Sequence, residues 1–87
     1  MSVLQIVAIY DIATEAYGRP VFVPALGAAM RGFADEINSN KDADVYKHPN
    51  DFALYHFGEW DDNSGEIRLL DKPARLAKAA DLKEMTS

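Results

Sequence analysis

The stretch that decides the fold runs from Phe52 to Leu70 and reads FALYHFGEWDDNSGEIRLL. Its first part, through Trp60, is rich in aromatic side chains, which favour β-strands. The string DDNSG that follows is typical of a turn, and the β pattern resumes at Ile67. The stretch therefore predicts a β-hairpin in which Gly65 adopts a positive φ.

The segment before this hairpin predicts a first strand and a long loop. Residues Val3–Tyr10 carry apolar side chains at both odd and even positions, as in a strand that is central or covered on both faces. From Asp11 to Pro24 the pattern breaks at glycine and proline, so we expect an irregular loop that packs onto the body.

Two helices are predicted, one on each side of the hairpin. In the first, from Ala25 to Asn38, the apolar residues recur at spacings of four, three and four and so share one helical face. A polar loop, Lys41–Asp51, follows it. The second helix spans Ala74–Ala80, where helix propensity is strong and Pro73 suits the first turn. The apolar residues of the first helix are Leu26, Met30, Phe33 and Ile37.

These elements define an α+β fold in the order β-α-β-β-α. A chain of 87 residues has room for one compact core, so we assign residues 1–87 to a single domain. The helices are expected to pack on one face of a three-stranded sheet. Residues 84–87 are expected to form a frayed tail.

Composition excludes several classes of protein. The sequence has no cysteine, which rules out a disulfide scaffold, thiolate metal sites and cysteine nucleophiles. The apolar stretch Val3–Ile12 contains Gln5 and Asp11 and lacks a signal-peptide pattern, so we interpret it as a strand. No apolar run approaches the roughly 20 residues that cross a bilayer. We expect a cytoplasmic protein that does not contact membranes.

Charge argues against strong, independent binding of nucleic acid, with one local exception. The net charge of −5 repels phosphate backbones at long range. Between Arg68 and Lys83, however, five basic residues stand against two acidic ones, a local charge of +3. This segment is where a polyanion would be expected to bind.

Catalytic and metal sites are not predicted. The acidic string beginning at Asp61 lacks the ligand spacing of an EF-hand loop. His48 and His56 share no helical face, and no hydroxyl residue lies in a nucleophile elbow. We therefore assign no catalytic residue, no metal and no cofactor, and we expect the protein to act by binding and not as an enzyme.

The candidate nucleic-acid-binding residues combine two aromatic rings with four cations. Rings on a sheet can stack on bases while cations neutralise phosphates. The alternative is that the two rings belong to the core. This alternative is favoured because the helices need a surface to pack on. If the helices cover the opposite face of the sheet, exposed rings are favoured instead. The cations could instead pair with Asp71 and Asp81 along a solvated helix. The candidates are Tyr55, Phe57, Arg68, Lys72, Arg75 and Lys78.

Three stretches together resemble a known family, the small nonstructural protein of the gokushovirus-type microviruses, which are phages with circular single-stranded DNA. The resemblance extends from the first strand to about Leu82 and depends on the order and spacing of the motifs. The stretches are Tyr10–Asp11 with Glu15–Tyr17 and Pro20–Phe22; Gly27–Phe33; and His48–Tyr55 continuing through Gly58–Asp62 and Gly65.

The resemblance implies a protein of the host cytoplasm that serves single-stranded DNA synthesis or genome packaging, and it brings no catalytic residues. Two modes of action follow. The protein could bind single-stranded DNA weakly or as an oligomer, with a homodimer doubling the basic segment on one surface. Alternatively, it could be an adaptor that holds the phage replication protein, the procapsid or a host factor through a sheet edge or an aromatic face.

Overall fold

A computed structural model describes residues 3–83 of the chain, and these residues form an α+β fold. The predicted frayed tail, residues 84–87, lies outside this part. The strands are β1 (Val3–Asp11), β2 (Ala16–Tyr17), β3 (Val21–Val23), β4 (Phe52–Asp61) and β5 (Ile67–Lys78). The helices are α1 (Leu26–Ser39), α2 (Asp44–Lys47) and α3 (Ala79–Leu82), with a 3₁₀ turn at Pro49–Asp51.

The strands form one antiparallel sheet with β1 and β4 at its centre. Strand β1 pairs with β4 along one side, and along the other side it pairs with β2 and then β3. Strand β5 extends the sheet beyond β4. The prediction of three strands was therefore wrong: the segment expected to be an irregular loop supplies two short strands. They supply partners for backbone groups along the second edge of β1, which would otherwise lie open.

The prediction of a second helix at Ala74–Ala80 was also wrong for most of its length. Strand β5 continues to Lys78, and only α3, which begins at Ala79, is helical. A seven-residue helix is unstable by itself because nucleation is costly. Pairing with β4 gives the same residues a ladder of backbone hydrogen bonds, so tertiary structure overrides the high helix propensity of this stretch.

The ladder between β4 and β5 is interrupted twice, between Leu54 and Tyr55 and, by a longer insertion, near Gly58. Gly58 pairs with Leu69 and His56 pairs with Ala74, so residues 70–73 of β5 oppose Phe57 alone. We call residues 70–73 the β5 bulge. Gly58 has a φ of 156°, and a Cβ atom added to it would lie 2.2 Å from the Arg68 carbonyl oxygen. The close approach of the β5 backbone to β4 therefore requires glycine at this position.

All three helices pack on the same face of the sheet. The buried cluster joins Val7 of β1 and Leu54 of β4 to side chains of every helix. We call this side the helix face, and the opposite side the open face. The helical members of the cluster are Phe33 and Ile37 of α1, Val45 of α2 and Ala79 of α3.

Side-chain hydrogen bonds join the C-terminal ends of α1 and α3. The Asn38 Nδ2 group donates to the Leu82 carbonyl oxygen at 3.0 Å, and Lys83 Nζ donates to the Ile37 carbonyl oxygen at 3.0 Å. The same ammonium group lies 3.5 Å from the centroid of the Tyr46 ring. These contacts fix the short helix α3 against α1. Within residues 3–83, no helix has the length and apolarity needed to cross a membrane.

Candidate nucleic-acid interface

Tyr55 and Phe57 lie on the open face. Successive side chains of a strand point to opposite faces, and Leu54 belongs to the helix-face cluster. Tyr55 pairs with Ala8, the neighbour of Val7 in β1, and is therefore on the open face. Both rings are half-buried and neither belongs to the buried cluster. The core position that the sequence favours for these rings was wrong, because the helices cover the other side.

Four rings form an aromatic cluster on the open face, defined as Tyr10, Tyr17, Tyr55 and Phe57. Tyr17, supplied by β2, is at its centre, with ring centroids 4.7 Å from Tyr10, 5.6 Å from Tyr55 and 5.1 Å from Phe57. The contacts with Tyr55 and Phe57 are edge-to-face, at 87° and 79°. Edge contacts of this kind hold the rings in place and contribute about 0.5–1.5 kcal/mol each.

Two cations border this cluster at the end of the open face farthest from the hairpin turn. Arg75 is opposite Tyr55 in the register of β4 and β5, and Lys78 is opposite Ala53. Together with Tyr10 and Tyr55 they line a pocket of about 310 Å³, which we call the cationic pocket. Asn50 and Asp81 also line it. The pocket thus places ring surfaces beside two cations, the Asn50 amide and the Asp81 carboxylate, so that its lining has one positive charge in excess.

Arg68 is separated from the cationic pocket. Arg68 is opposite Glu59 of β4, and Glu59 is opposite Gln5 of β1. Gln5 is two residues from Val7 and points to the same face, so the Arg68 side chain is on the helix face. Its guanidinium group forms an ion pair with Glu59 at 3.0 Å and another with Glu66. The hydrogen bond to Glu59 raises the pKa of Arg68 above its usual value, against a smaller lowering by desolvation. Arg68 is therefore already neutralised by two carboxylates.

The other cations of β5 are not neutralised in this way. Within the described residues, no carboxylate lies within 4 Å of Arg75, Lys78 or Lys72, so the ion pairs with Asp71 and Asp81 expected from helical spacing do not form. Those pairs required a helix, whereas this segment is a strand up to Lys78. Lys72 lies in the β5 bulge, apart from the cationic pocket. Arg75 and Lys78 remain available to a ligand.

The hairpin turn and the two histidines have structural roles. Gly65 has a φ of 78°, which confirms the predicted turn. The Asp61 side chain accepts a hydrogen bond from the Asn63 backbone N–H at 2.9 Å. His56 Nε2 lies 2.8 Å from the Gln5 side-chain oxygen, which ties β4 to β1. His48 lies between α2 and the 3₁₀ turn, where its carbonyl oxygen accepts a hydrogen bond from the Asp51 N–H.

A further pocket, of about 400 Å³, lies between α1 and β3 and contains none of the predicted binding residues. Its walls are almost entirely apolar, with Val7, Val21 and Phe33 among them. The charged side chains that line it are Arg19 and Glu36, one of each sign. This pocket has no excess of positive charge with which to bind a polyanion.

Sequence reasoning missed Tyr10 and Tyr17 as members of the site. Tyr10 lies at the end of β1 and pairs with both Ala53 and Tyr17, so it stands on the open face beside Tyr55. The sequence pattern predicts an irregular loop around Tyr17, whereas the structure has β2 there. Because side chains alternate along β1, Tyr10 points to the same face of the sheet as Ala8. No local pattern indicates that β2 folds back beside Tyr10. Only strand pairing brings the three tyrosines together.

The comparison with protein families identifies the group to which this chain belongs. A family model described as Phage ORF5 protein matches residues 4–82. This range includes all three helices and all five strands, apart from Val3, the first residue of β1. No curated protein and no solved structure shows significant similarity to the chain. Since the match covers nearly the whole fold, the chain belongs to the Phage ORF5 protein family and is a bacteriophage protein.

Proposed function

We propose that this phage protein is a nonstructural accessory factor that binds single-stranded DNA through its open face during DNA synthesis or genome packaging in the host cytoplasm. One observation carries the proposal: Tyr55, Arg75 and Lys78 meet at one pocket at the end of the open face, where the 3₁₀ turn and α3 supply further lining residues. The protein acts by binding, and no bond is made or broken at this site.

The arrangement suits an unpaired strand better than a duplex. Bases of single-stranded DNA are free to stack on protein rings, and such stacking is worth about 1–3 kcal/mol per base. The rings of Tyr10 and Tyr55 can take this role at the cationic pocket. Arg75 and Lys78 neutralise the phosphates on either side of a stacked base, while Asn50 offers a side-chain amide to a base edge.

The proposed binding is weak and decreases as the salt concentration rises. A net charge of −5 opposes the approach of DNA, and the cationic pocket supplies two unpaired cations. For single strands, log K falls with log salt by about 0.7 per neutralised phosphate. Assembly of several copies on one strand would raise the affinity without any new contact per copy.

An adaptor function is the second candidate, and the exposed apolar side chains of the hairpin favour it. Leu69 is 69% exposed and Ile67 is 56% exposed. The free edge of β5 is a poor site for an adaptor, because the β5 bulge, with Lys72 and Pro73, interrupts it. An adaptor would therefore hold the phage replication or procapsid protein through the open face.

Fluorescence anisotropy with a labelled single-stranded oligonucleotide of about 16 bases tests DNA binding. The protein is titrated at about 50 mM and then about 200 mM salt. The wild type should show saturable binding that weakens with salt. The double variant Arg75→Glu/Lys78→Glu should lose it.

The matched control is Arg31→Glu/Lys41→Glu, which changes the net charge by the same amount at exposed positions of α1 and the following turn. This control should weaken binding far less than the Arg75/Lys78 variant. Equal losses in the two double variants would show that net charge alone governs the interaction. Absence of binding at low salt would exclude the DNA-binding proposal and leave the adaptor.

A further inference from the structure

The cationic pocket has room for one nucleotide and not for a run of them. Its volume of about 310 Å³ is at the lower limit of small-molecule sites, which measure about 300–1,000 Å³. The rings of Tyr10 and Tyr55 are already in edge contact, with centroids 6.1 Å apart and planes at 75°. A base can therefore stack on one of these rings but cannot insert between them. Its hydrogen-bonding edge then remains available to the other side chains of the pocket.

Asp81 adds a carboxylate to this lining. It belongs to α3, which is anchored on both sides of it. Ala79 is 0% exposed in the buried cluster, and the Leu82 carbonyl oxygen accepts the hydrogen bond from Asn38. The Asp81 carboxylate itself has no hydrogen-bond or ion-pair partner within residues 3–83. An anchored backbone thus holds a carboxylate at the pocket with both oxygens free to accept hydrogen bonds.

This carboxylate opposes the binding of phosphate. It offsets one of the two cations of the pocket, and it repels any phosphate that Arg75 or Lys78 holds. A neutral side chain at the same position would give a higher affinity for a polyanion. Specificity depends on differences in affinity between ligands and often uses a repulsive element. A group that lowers general affinity but accepts hydrogen bonds is therefore suited to discriminate among bases.

The four DNA bases differ in what they offer to a carboxylate, which accepts hydrogen bonds through two oxygens and donates none. The Watson–Crick edge of guanine carries two adjacent donors, the N1–H group and the N2 amino group. Adenine and cytosine present one amino donor beside a ring nitrogen that is an acceptor. Thymine presents one N3–H group between two carbonyl acceptors. Guanine alone can satisfy both oxygens without placing an acceptor against the carboxylate.

We propose that the cationic pocket selects an unpaired guanine, with the Asp81 carboxylate accepting hydrogen bonds from guanine N1–H and from the N2 amino group. The inference rests on the proposed binding of single-stranded DNA and adds a base preference to it. Arg75 and Lys78 hold the flanking phosphates, and Tyr10 or Tyr55 stacks on the base. The Watson–Crick edge of guanine is occupied in a duplex, so the same contact requires an unpaired base.

Short strands that carry a single base test this preference by fluorescence anisotropy. Each labelled strand is about five nucleotides long and abasic except at its centre, where it carries guanine, hypoxanthine, adenine, cytosine or thymine. At about 50 mM salt the guanine strand should bind at least about 5-fold more tightly than the thymine strand, because a bidentate contact discriminates by about that factor or more. Hypoxanthine keeps N1–H but lacks the N2 amino group, so its strand should bind with intermediate affinity.

Asp81→Asn preserves the size of the side chain and removes its charge. This variant should bind every strand more tightly and lose most of the preference for guanine. Asp71→Asn is the matched control, because it removes the same charge from the β5 bulge, outside the pocket. The control should keep the preference. The readout is a ratio of two affinities measured on one protein sample, so partial loss of folded protein does not alter it.

The outcomes separate this inference from the proposed function. Equal affinity for the five strands, or tighter binding of another base, would overturn guanine selection and leave DNA binding standing. Failure to bind the guanine strand while the oligonucleotide of about 16 bases still binds would do the same. A guanine preference that persists fully in Asp81→Asn would remove Asp81 from the contact and overturn the inference. Absence of binding to every strand, the longer oligonucleotide included, would overturn the proposed function as well.

Discussion

Arg75 of β5 lies directly opposite Tyr55 of β4 in the antiparallel register of the hairpin. Directly opposed residues of such a pair have Cβ atoms about 4.5–5.5 Å apart and share one face of the sheet. The relationship therefore places a cation beside a ring on the open face. A ligand that carries both an aromatic base and a phosphate can contact both side chains together.

Replacement of Arg75 by glutamine should weaken binding of single-stranded DNA and make it less dependent on salt. The slope of log K against log salt should fall by about 0.7, since one phosphate contact is lost. Arg68→Gln is the matched control, because Arg68 is on the same strand but pairs with Glu59 on the helix face. Anisotropy titrations at several salt concentrations give both slopes. A change of slope in Arg68→Gln alone would contradict the proposed site.

Removal of the Tyr55 ring should reduce affinity for single-stranded DNA at all salt concentrations. Tyr55→Ala should cost about 1–3 kcal/mol, the usual value of stacking on one base, whereas Tyr55→Phe should retain most of the affinity. Tyr46→Ala, a change of the same kind in α2, should leave binding unaltered. Titrations of the three variants decide the point, and equal affinity of Tyr55→Ala and the wild type would exclude stacking on this ring.

Introduction of a methyl group at Gly58 should destabilise the fold. The Cβ atom of Gly58→Ala would lie 2.2 Å from the Arg68 carbonyl oxygen, and overpacking of this kind costs about 1–3 kcal/mol or more. Gly27→Ala is the control, because an added Cβ in α1 meets nothing within 4 Å. That substitution should stabilise the helix by about 0.5–1 kcal/mol. Urea denaturation measures both changes, and an unaffected Gly58→Ala would refute the close approach of β5.

Truncation of Ile37 should remove a large part of the folding free energy. Its side chain is 0% exposed in the buried cluster, and replacement of such a residue by alanine costs about 2–5 kcal/mol. Ile12→Ala is the same change at a position that is 53% exposed, where about 0.5 kcal/mol or less is expected. Thermal and urea unfolding compare the two variants. Similar losses would show that the core does not centre on α1.

Local pattern was sufficient for four features of the fold. The apolar run predicts β1, the spacing of Leu26, Met30, Phe33 and Ile37 predicts α1, and the string before Gly65 predicts the turn of the hairpin. In each case the signal lies within the element itself, because periodicity and turn chemistry are local properties. The aromatic segment that became β4 belongs to the same group.

The segment from Ala74 to Lys78 was mispredicted because its local preference opposes its tertiary surroundings. Alanine, arginine, leucine and lysine favour a helix, yet the segment pairs with β4. The free energy lost by giving up the helical conformation is small, because so short a helix is unstable by itself. The backbone ladder with β4 and the contact of Leu76 with the buried cluster stabilise the strand instead. This change also turned Arg75 and Lys78 from residues of a helix into residues of the open face.

The sequence by itself determined which residues carry apolar, aromatic and cationic side chains, where β1, α1 and the hairpin turn occur, and that a basic segment interrupts an acidic chain. Only the tertiary structure decided which side of the sheet the helices cover, and therefore that Tyr55 and Phe57 lie outside the core. It also joined Tyr10 and Tyr17 to them and separated Arg68 from Arg75. The physical reason is that facing and strand pairing depend on contacts between residues distant in the chain, which no local pattern encodes.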